Sequence, residues 1–248
     1  MTQAPTAGST TKPAAPEQAA REVIAGRPQH AARRWLGWVS LVALIAFVGD
    51  AYLVINGIVT QSFDVPVEGW VQSLNWGPVA DVMRLTNASS GLGQVLLGVG
   101  AVVGLFIWER RAGLLMALGS IGSVLDSFLK TSVARHRPTA DVVHVLDPSA
   151  GFSFPSGHAV FFTWFAFMLA VAVSPHVRPS RRIAVWTAAA LLVFVACLGR
   201  VWGGAHWPSD VIGGFLLGLA WSAFVLALPE RFLPAPSWSW LRQRFGRH

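Results

Sequence analysis

Three short clusters of polar residues hold the side chains whose types and spacing could do chemistry. They occupy positions 130–138, 154–158 and 200–210, and each adjoins a long apolar run. Arg, Lys and His are costly inside a bilayer, so cations placed at the ends of apolar runs predict a shared polar site at one membrane face. Fixed positive charge, a nucleophile and a proton donor are what capture and transfer of a phosphoryl group requires.

The first cluster supplies the cations Lys130, Arg135 and Arg137. Guanidinium groups bind phosphate oxygens in a bidentate manner, and a lysine adds a point charge. A basic cluster beside a membrane can equally bind lipid headgroups, and this cluster alone does not separate the two interpretations. Asp126 lies four residues before Lys130, so the two side chains would share a helix face and could pair.

The second cluster contains Ser156, Gly157 and His158 immediately before an apolar run. At the start of a helix, free backbone N–H groups and the helix dipole favour an anion. Glycine allows a close backbone approach and serine adds a donor, although Pro-Ser-Gly is also common helix-cap sequence. His158 favours the functional interpretation, because an imidazole there could protonate a leaving oxygen.

The third cluster offers Arg200 as a further cation, His206 as a nucleophile and Asp210 four residues later. If a helix begins near Pro208, Asp210 falls in its first turn and can reach back to His206. A carboxylate bonded to one imidazole nitrogen leaves the other free to attack. The alternative is an interfacial histidine followed by an aspartate that complements the helix dipole. The coincidence of three clusters favours the chemical interpretation.

The elements that must position these clusters are transmembrane helices. The chain has 248 residues, of which 53% are hydrophobic and only 12% charged, with a mean hydropathy of +0.51. Soluble domains carry about a quarter charged residues. We therefore expect an all-α polytopic membrane protein with about six transmembrane helices in a bundle, and runs of near-spanning length place them at 35–55, 92–108, 113–129, 159–173, 183–198 and 211–228.

Two further patterns concern packing. Between the first two spans, the spacing of Val67, Trp70, Val71 and Leu74 predicts an amphipathic helix at the membrane interface. Glycines four residues apart, as in the pairs 100/104 and 214/218, predict close packing of helices within the chain.

The chain divides into three parts. Positions 1–32 are rich in Ala, Pro, Thr and Gln and predict a disordered cytoplasmic tail, 33–232 form the membrane domain, and 233–248 form a basic cytoplasmic tail. The lone cysteine, Cys197, lies in an apolar run and is expected to be a core residue.

The basic residues predict the orientation in the plasma membrane. With both termini in the cytoplasm, 14 of the 19 Lys and Arg residues fall on the inner side. Four of the five outer exceptions belong to the polar clusters, so the site is expected to face away from the cytoplasm. The net charge of +7 does not indicate nucleic acid, because the Arg residues lie between apolar runs rather than on a soluble basic face.

The arrangement Lys-x6-Arg-Pro, Pro-Ser-Gly-His and Arg-x5-His-x3-Asp resembles the type 2 phosphatidic acid phosphatase superfamily. These are integral-membrane lipid phosphatases related to the vanadium haloperoxidases. The match extends from Lys130 to Asp210 with every charged position filled. One departure is visible, because members commonly carry serine before the arginine of the third motif and this chain has Gly199.

The resemblance implies a role for each residue. His206 would attack phosphorus to give a phosphohistidine, Asp210 would orient it, and His158 would protonate the leaving group. The phosphate-binding residues would be Lys130, Arg135, Arg137, Ser156, Gly157 and Arg200. Fixed cations would replace a metal, so neither a metal nor another cofactor is expected.

The resemblance also implies a membrane lipid phosphate as substrate, with the bilayer holding its tail. Undecaprenyl diphosphate, phosphatidylglycerophosphate and phosphatidic acid all remain open, and no oligomeric state is indicated. A vanadate-dependent haloperoxidase would use similar anion-binding residues, but those relatives are soluble. A non-catalytic binder of phosphorylated lipid would not need both His158 and His206.

Overall fold

A computed structural model describes residues 15–229 of the chain, with side chains from residue 33 onward. The described part is entirely helical apart from its connections, so the all-α expectation is confirmed. The helices are α1 Ala15–Ile55, α2 Val65–Ser73, α3 Pro78–Ala88, α4 Leu92–Trp108, α5 Arg110–Val133, α6 Gly157–Val173, α7 Pro179–Trp202 and α8 Pro208–Ala227, with a π-helical turn at Thr60–Asp64 before α2.

The number of membrane-spanning helices agrees with the prediction. Five helices are long and apolar enough to cross a membrane, namely α5, α6, α7, α8 and the Arg33–Ile55 part of α1. The sixth is a bent pair, α3 and α4, which meet at 81° and pass the same test only together. The predicted span 92–108 is therefore the second half of this pair.

The terminal segments differ in how far the structure describes them. Helix α1 begins at Ala15, inside the stretch expected to be a disordered tail. The Ala, Glu and Gln residues that follow are strong helix formers. The disorder expected of positions 1–32 stays a prediction. Residues 1–14 and the predicted C-terminal tail 233–248 lie outside the described residues.

Helix α6 forms the centre of the bundle, and it packs against α5, α7 and α8. Its aromatic side chains interlock, with Phe161 edge-on to Trp164 and stacked on Phe165. Trp164 is fully enclosed and its indole N–H donates to Ser123 on α5. Van der Waals packing of this kind, rather than exclusion of water, holds helices together in lipid.

Glycines on α8 let α6 approach closely. A Cβ at Gly214 would lie 2.9 Å from that of Ala159, and one at Gly218 would lie 2.8 Å from that of Thr163, so the packing expected of this pair is confirmed. The other pair behaves differently, because no heavy atom lies within 4 Å of a Cβ built on Gly100 or Gly104. The expectation of internal packing is wrong for that pair.

The segment between α1 and α4 contains the predicted amphipathic helix as α2. Trp70 points outward with 61% of its surface exposed, whereas Val71 is 4% exposed. The helix also buries Glu68 completely, and the preceding π-helical turn buries Asp64. Two buried carboxyl groups are not a property of a helix that only rests on a membrane surface.

One end of the bundle collects the polar clusters. The C-terminal ends of α5 and α7 and the N-terminal ends of α6 and α8 meet there, and the connection 134–156 covers them. The backbone N–H of Ser156 donates to the Asp210 carbonyl at 2.8 Å, which fixes the start of α6 against the start of α8. The helix ends thus bring together clusters that lie up to 80 positions apart.

Candidate active site

His206 lies in the turn between α7 and α8, where it is 3% exposed. Its Nε2 is 3.0 Å from Nη1 of Arg137. Because a guanidinium can only donate, Nε2 of His206 must accept and therefore carries a lone pair. The imidazole proton is then on Nδ1, so the unprotonated nitrogen faces the cations.

Asp210 is completely buried in the first turn of α8, as the sequence predicted. Its Oδ2 is 3.7 Å from Nδ1 of His206, which is longer than a hydrogen bond. The same carboxylate accepts hydrogen bonds from the Ser153 hydroxyl and, at 2.9 Å, from the Trp207 backbone N–H. Asp210 therefore caps its own helix while it presents negative charge to the protonated nitrogen of His206.

His158 stands at the start of α6 with its two ring nitrogens in different surroundings. Nδ1 is 2.7 Å from the Gln94 amide nitrogen and 3.3 Å from the Ser90 hydroxyl. Nε2 is buried without a partner among the residues that the structure describes. With the Gln94 amide as donor, Nδ1 accepts and Nε2 carries the proton of the neutral ring. A second proton on Nδ1, with the Gln94 amide turned so that its oxygen accepts, gives the imidazolium form that can act as a general acid.

Cations of the first and third clusters lie around His206, namely Lys130, Arg137 and Arg200. Burial lowers the pKa of His206 well below its usual range, and the positive charges of Arg137, Lys130 and Arg200 lower it further. Burial also lowers the pKa of Arg137, and Arg200 adds to this effect. An anion placed among these groups would relieve their mutual repulsion.

Arg200 is 3% exposed at the end of α7 and has partners from the covering connection. It donates to Asp147 Oδ2 at 2.6 Å and to the Ser149 hydroxyl at 2.8 Å. A third contact of 3.3 Å reaches Ser90, which links Arg200 to His158. Asp147 and Ser149 could not be predicted as partners of Arg200, because the contacts of a loop residue depend on the path of the loop.

Lys130 and Gly157 meet where α5 passes the start of α6. The ammonium group of Lys130 donates to the Pro155 carbonyl and lies 3.5 Å from Asp126 Oδ1, so the expected pairing of the two is present. The Ser156 hydroxyl accepts from the backbone N–H of Ala159 at 3.5 Å and caps α6. A Cβ built on Gly157 would clash with the carboxylate of Asp126, so a side chain there would have to displace that group.

Arg135 differs from the other cations of the first cluster. Nη1 donates to Asp210 and to the Ser209 hydroxyl, both at 2.7 Å, while Nη2 donates to Asp64 at 2.5 Å and to Thr60 at 3.0 Å. Burial lowers the pKa of Arg135, but Asp210 and Asp64 outweigh burial and raise it above the ordinary value. The structure therefore directs Arg135 at carboxylates of the protein, away from the cations that surround His206.

The sequence predicted nine site residues, and the structure places all of them at the end of the bundle where α5, α6, α7 and α8 meet, with Arg135 directed at carboxylates. The sequence missed Ser90 and Gln94, which contact His158, and Ser153, which donates to Asp210.

Within residues 15–229, no three His, Cys, Asp or Glu side chains are arranged to hold a metal ion. Two buried histidines and several cations at one end of a helical membrane bundle are the kinds of group that phosphoryl transfer requires.

Comparison with known proteins identifies the class. The chain belongs to the PAP2 superfamily, whose model matches residues 94–233. It is 28% identical over 200 residues to an undecaprenyl-diphosphatase of Sulfolobus acidocaldarius, covering 78% of this chain and 90% of that protein. It is 33% identical over 151 residues to phosphatidylglycerophosphatase B of Bacillus subtilis, covering 58% of this chain and 70% of that protein.

Solved structures share the fold. The crystal structure of a transmembrane PAP2-type phosphatidylglycerolphosphate phosphatase from Bacillus subtilis superimposes with a TM-score of 0.64 at 24% identity, covering 76% of this chain and 94% of that one. The crystal structure of Aquifex aeolicus LpxE gives a TM-score of 0.53 at 22% identity, covering 67% and 96%. The chain is thus a polytopic membrane phosphatase of this superfamily.

Proposed function

We propose that the protein hydrolyses the phosphomonoester or diphosphate headgroup of a membrane lipid through a phosphohistidine at His206. The proposal depends on two observations. Nε2 of His206 is unprotonated because it accepts from Arg137, and Nε2 of His158 is buried without a partner among the described residues. One nitrogen has the lone pair that attack requires, and the other has the proton that a leaving oxygen requires. A protein that only binds phosphorylated lipid would need neither.

The reaction proceeds in two steps. Nε2 of His206 attacks phosphorus, the bond to the leaving oxygen breaks, and the imidazolium form of His158 gives its Nε2 proton to that oxygen and becomes neutral. Water then attacks the phosphohistidine, neutral His158 takes a proton from the water to become imidazolium again, and inorganic phosphate leaves with His206 restored. Lys130, Arg137, Arg200, Ser156 and the Gly157 backbone stabilise the charge on the phosphoryl oxygens.

Fixed side-chain cations support a metal-independent reaction. Lys130, Arg137 and Arg200 place three positive charges around His206. In phosphoryl transfer the charge on the equatorial oxygens is what must be neutralised, and guanidinium groups do this with fixed geometry.

The substrate is an isoprenoid or glycerol lipid phosphate: undecaprenyl diphosphate, phosphatidylglycerophosphate or phosphatidic acid. The first two are supported by the names of the similar proteins. A site at the end of an apolar bundle allows the tail to stay in the bilayer while the headgroup enters. The distribution of Lys and Arg supports cytoplasmic termini and a site on the outer face of the plasma membrane.

The experiment is phosphate release in detergent, with EDTA present and the three lipids offered in parallel. Wild type is compared with His206→Ala and with His144→Ala, a matched control in the exposed part of the covering connection. We expect release that survives EDTA, vanishes in His206→Ala and persists in His144→Ala. Equal release by wild type and His206→Ala would refute the mechanism, and loss of release in EDTA that added Mg²⁺ restores would refute metal independence.

The orientation has its own test. His144→Cys introduces a thiol next to the proposed site, whereas native Cys197 is partly buried between the helices. We expect a membrane-impermeant maleimide to label His144→Cys in intact cells. Labelling only after the membrane is opened would place the site on the cytoplasmic side.

A further inference from the structure

A group of buried carboxyl groups lies behind the site, and the reaction described above does not use it. Asp64 and Glu68 are completely buried, on the π-helical turn and on α2 respectively. Asp50 of α1 reaches the same region, because its Oδ2 would lie 2.7 Å from a Cβ built on Gly213. All three carboxyl groups, together with Asp210, interact electrostatically with the guanidinium of Arg135.

Both carboxylate oxygens of Asp64 accept hydrogen bonds from residues next to Asp210. Oδ1 accepts from the Ser209 backbone N–H at 2.8 Å, and Oδ2 accepts from the Ser209 hydroxyl at 2.9 Å. Oδ2 also accepts from Arg135 at 2.5 Å. The residue therefore fixes two neighbours of Asp210, namely Ser209 before it in sequence and Arg135 across from it.

Glu68 lies one helical turn after Asp64 and is bonded differently. Neither of its carboxyl oxygens has a hydrogen-bond partner among the described residues. Burial raises the pKa of Glu68 to about 8, and the charges of Asp64 and Asp210 contribute to the rise. A neutral Glu68 leaves Asp64 and Asp210 as the carboxylates that share the charge of Arg135.

The position of Asp210 depends on Arg135, which Asp210 shares with Asp64. The guanidinium uses Nη1 for Asp210 and Nη2 for Asp64, so it bridges the two carboxylates. A buried cation that loses one of two anionic partners moves toward the other. Without Asp64, Arg135 would rotate both of its nitrogens onto Asp210 and draw that carboxylate away from Nδ1 of His206.

We infer that Asp64 is a positioning residue for catalysis, which holds Arg135 and Ser209 so that Asp210 stays directed at His206. The inference rests on the proposed function and assigns Arg135 to the support of Asp210 rather than to phosphate. Asp64 contacts none of the residues that would bind phosphoryl oxygens. Its loss should therefore slow the chemical step and leave binding of the headgroup unchanged.

The test compares two isosteric changes of completely buried carboxyl groups, Asp64→Asn and Glu68→Gln. For lipid phosphate hydrolysis we expect Asp64→Asn to lower kcat by roughly 100-fold, the cost of a misplacement of about 1 Å. KM and the inhibition constant of orthovanadate, a phosphate analogue, should change by less than about threefold. The reason is that the residues that bind the headgroup are unchanged. Glu68→Gln should keep kcat within about threefold of wild type.

A double variant separates positioning from loss of folding. Asp64→Asn with Arg135→Gln removes the carboxylate and the cation that the two aspartates share, so Asp210 loses the same partner as in Arg135→Gln alone. If Asp64 acts through Arg135, the double variant has the same kcat as Arg135→Gln alone. Independent effects that multiply in the double variant would overturn the inference.

The outcomes distinguish this inference from the proposed function. Equal kcat values for Asp64→Asn and Glu68→Gln, with active wild type, would overturn only the role of Asp64. A rise in KM with unchanged kcat would also overturn it, because that pattern belongs to a binding residue. Wild type that hydrolyses no faster than His206→Ala would overturn the proposed function itself.

Discussion

Arg200 donates to the carboxylate of Asp147 at 2.6 Å, so a carboxylate of the protein occupies a guanidinium proposed to bind phosphate. Ser149 from the same connection binds the second terminal nitrogen of Arg200. A phosphate that binds the terminal nitrogens of Arg200 competes with this carboxylate, whereas Nε of Arg200 is buried without a partner among the described residues. The connection thus competes with substrate for the terminal nitrogens of Arg200.

The first prediction follows from this competition. Asp147→Asn removes the anion while keeping the size of the side chain, so we expect KM for the lipid phosphate to fall about threefold to tenfold, within the range of a charge-assisted hydrogen bond. Steady-state kinetics in detergent measures the change. Asp141→Asn, in the same connection and fully exposed, is the matched control and should leave KM unchanged. An unchanged KM in Asp147→Asn would contradict the competition.

A second prediction concerns the proton of His158. Gln94→Glu would place a carboxylate beside Nδ1, and its negative charge would stabilise the doubly protonated imidazolium form of His158. We expect kcat for an alkyl phosphate lipid to persist to higher pH than in wild type, because the general acid stays protonated. Hydrolysis of p-nitrophenyl phosphate, whose leaving group needs no proton, should show no such shift.

Gln72→Glu is the control for that change. Gln72 lies on α2 and its side chain forms hydrogen bonds with the backbone of His144 in the covering connection. Gln72→Glu should affect neither substrate. An equal change in the pH profiles of both substrates in Gln94→Glu would mean that Gln94 does not act through the protonation of His158.

Whether a site residue could be predicted from the sequence depends on which contacts hold it in place. His158, His206 and the cations around them were predictable, because each belongs to a short motif at the end of an apolar run. Gln94 and Asp64 could not be predicted as site residues. Gln94 lies 64 positions from its partner His158, and Asp64 lies 71 positions from its partner Arg135. A single sequence carries no signal for contacts that arise only when α2, α4 and the covering connection pack together.

Gly199 illustrates the same limit for a departure from the family pattern. The sequence indicates a missing phosphate donor at this position. In the structure, a Cβ there would lie 3.1 Å from Asn87 Oδ1 and 3.3 Å from Met83 Cβ, so the position faces α3. The glycine allows α3 to approach α7, where the Asn87 amide donates to the Gly199 carbonyl at 3.0 Å.

The third prediction is therefore that Gly199→Ser does not raise turnover. A hydroxyl at this position would point toward Asn87 rather than toward phosphate, and the tight contacts with α3 should lower stability by about 1 kcal/mol or more. Thermal unfolding and kcat are measured together. Gly100→Ala, at a position with open space, is the control and should not destabilise the protein. Faster turnover in Gly199→Ser would show that the hydroxyl reaches the site.

The fourth prediction concerns stability and pH. The ordinary pKa of a glutamate is 4.5, and burial together with Asp64 and Asp210 raises the pKa of Glu68 to about 8. Between these two values the folded protein holds a proton that the unfolded chain has released. Stability contributed by Glu68 therefore falls as pH rises through this window, by about 1.4 kcal/mol per pH unit at the steepest.

Glu68→Gln removes that titration, because an amide stays neutral at every pH. We expect the variant to lose less stability than wild type between pH 5 and pH 8, so that the difference in Tm between them grows with pH and levels off above about pH 8. Thermal unfolding in detergent across this range measures it. Parallel pH profiles for the two proteins would mean that Glu68 is ionised in the folded state, and Arg135 would then have to balance one more carboxylate.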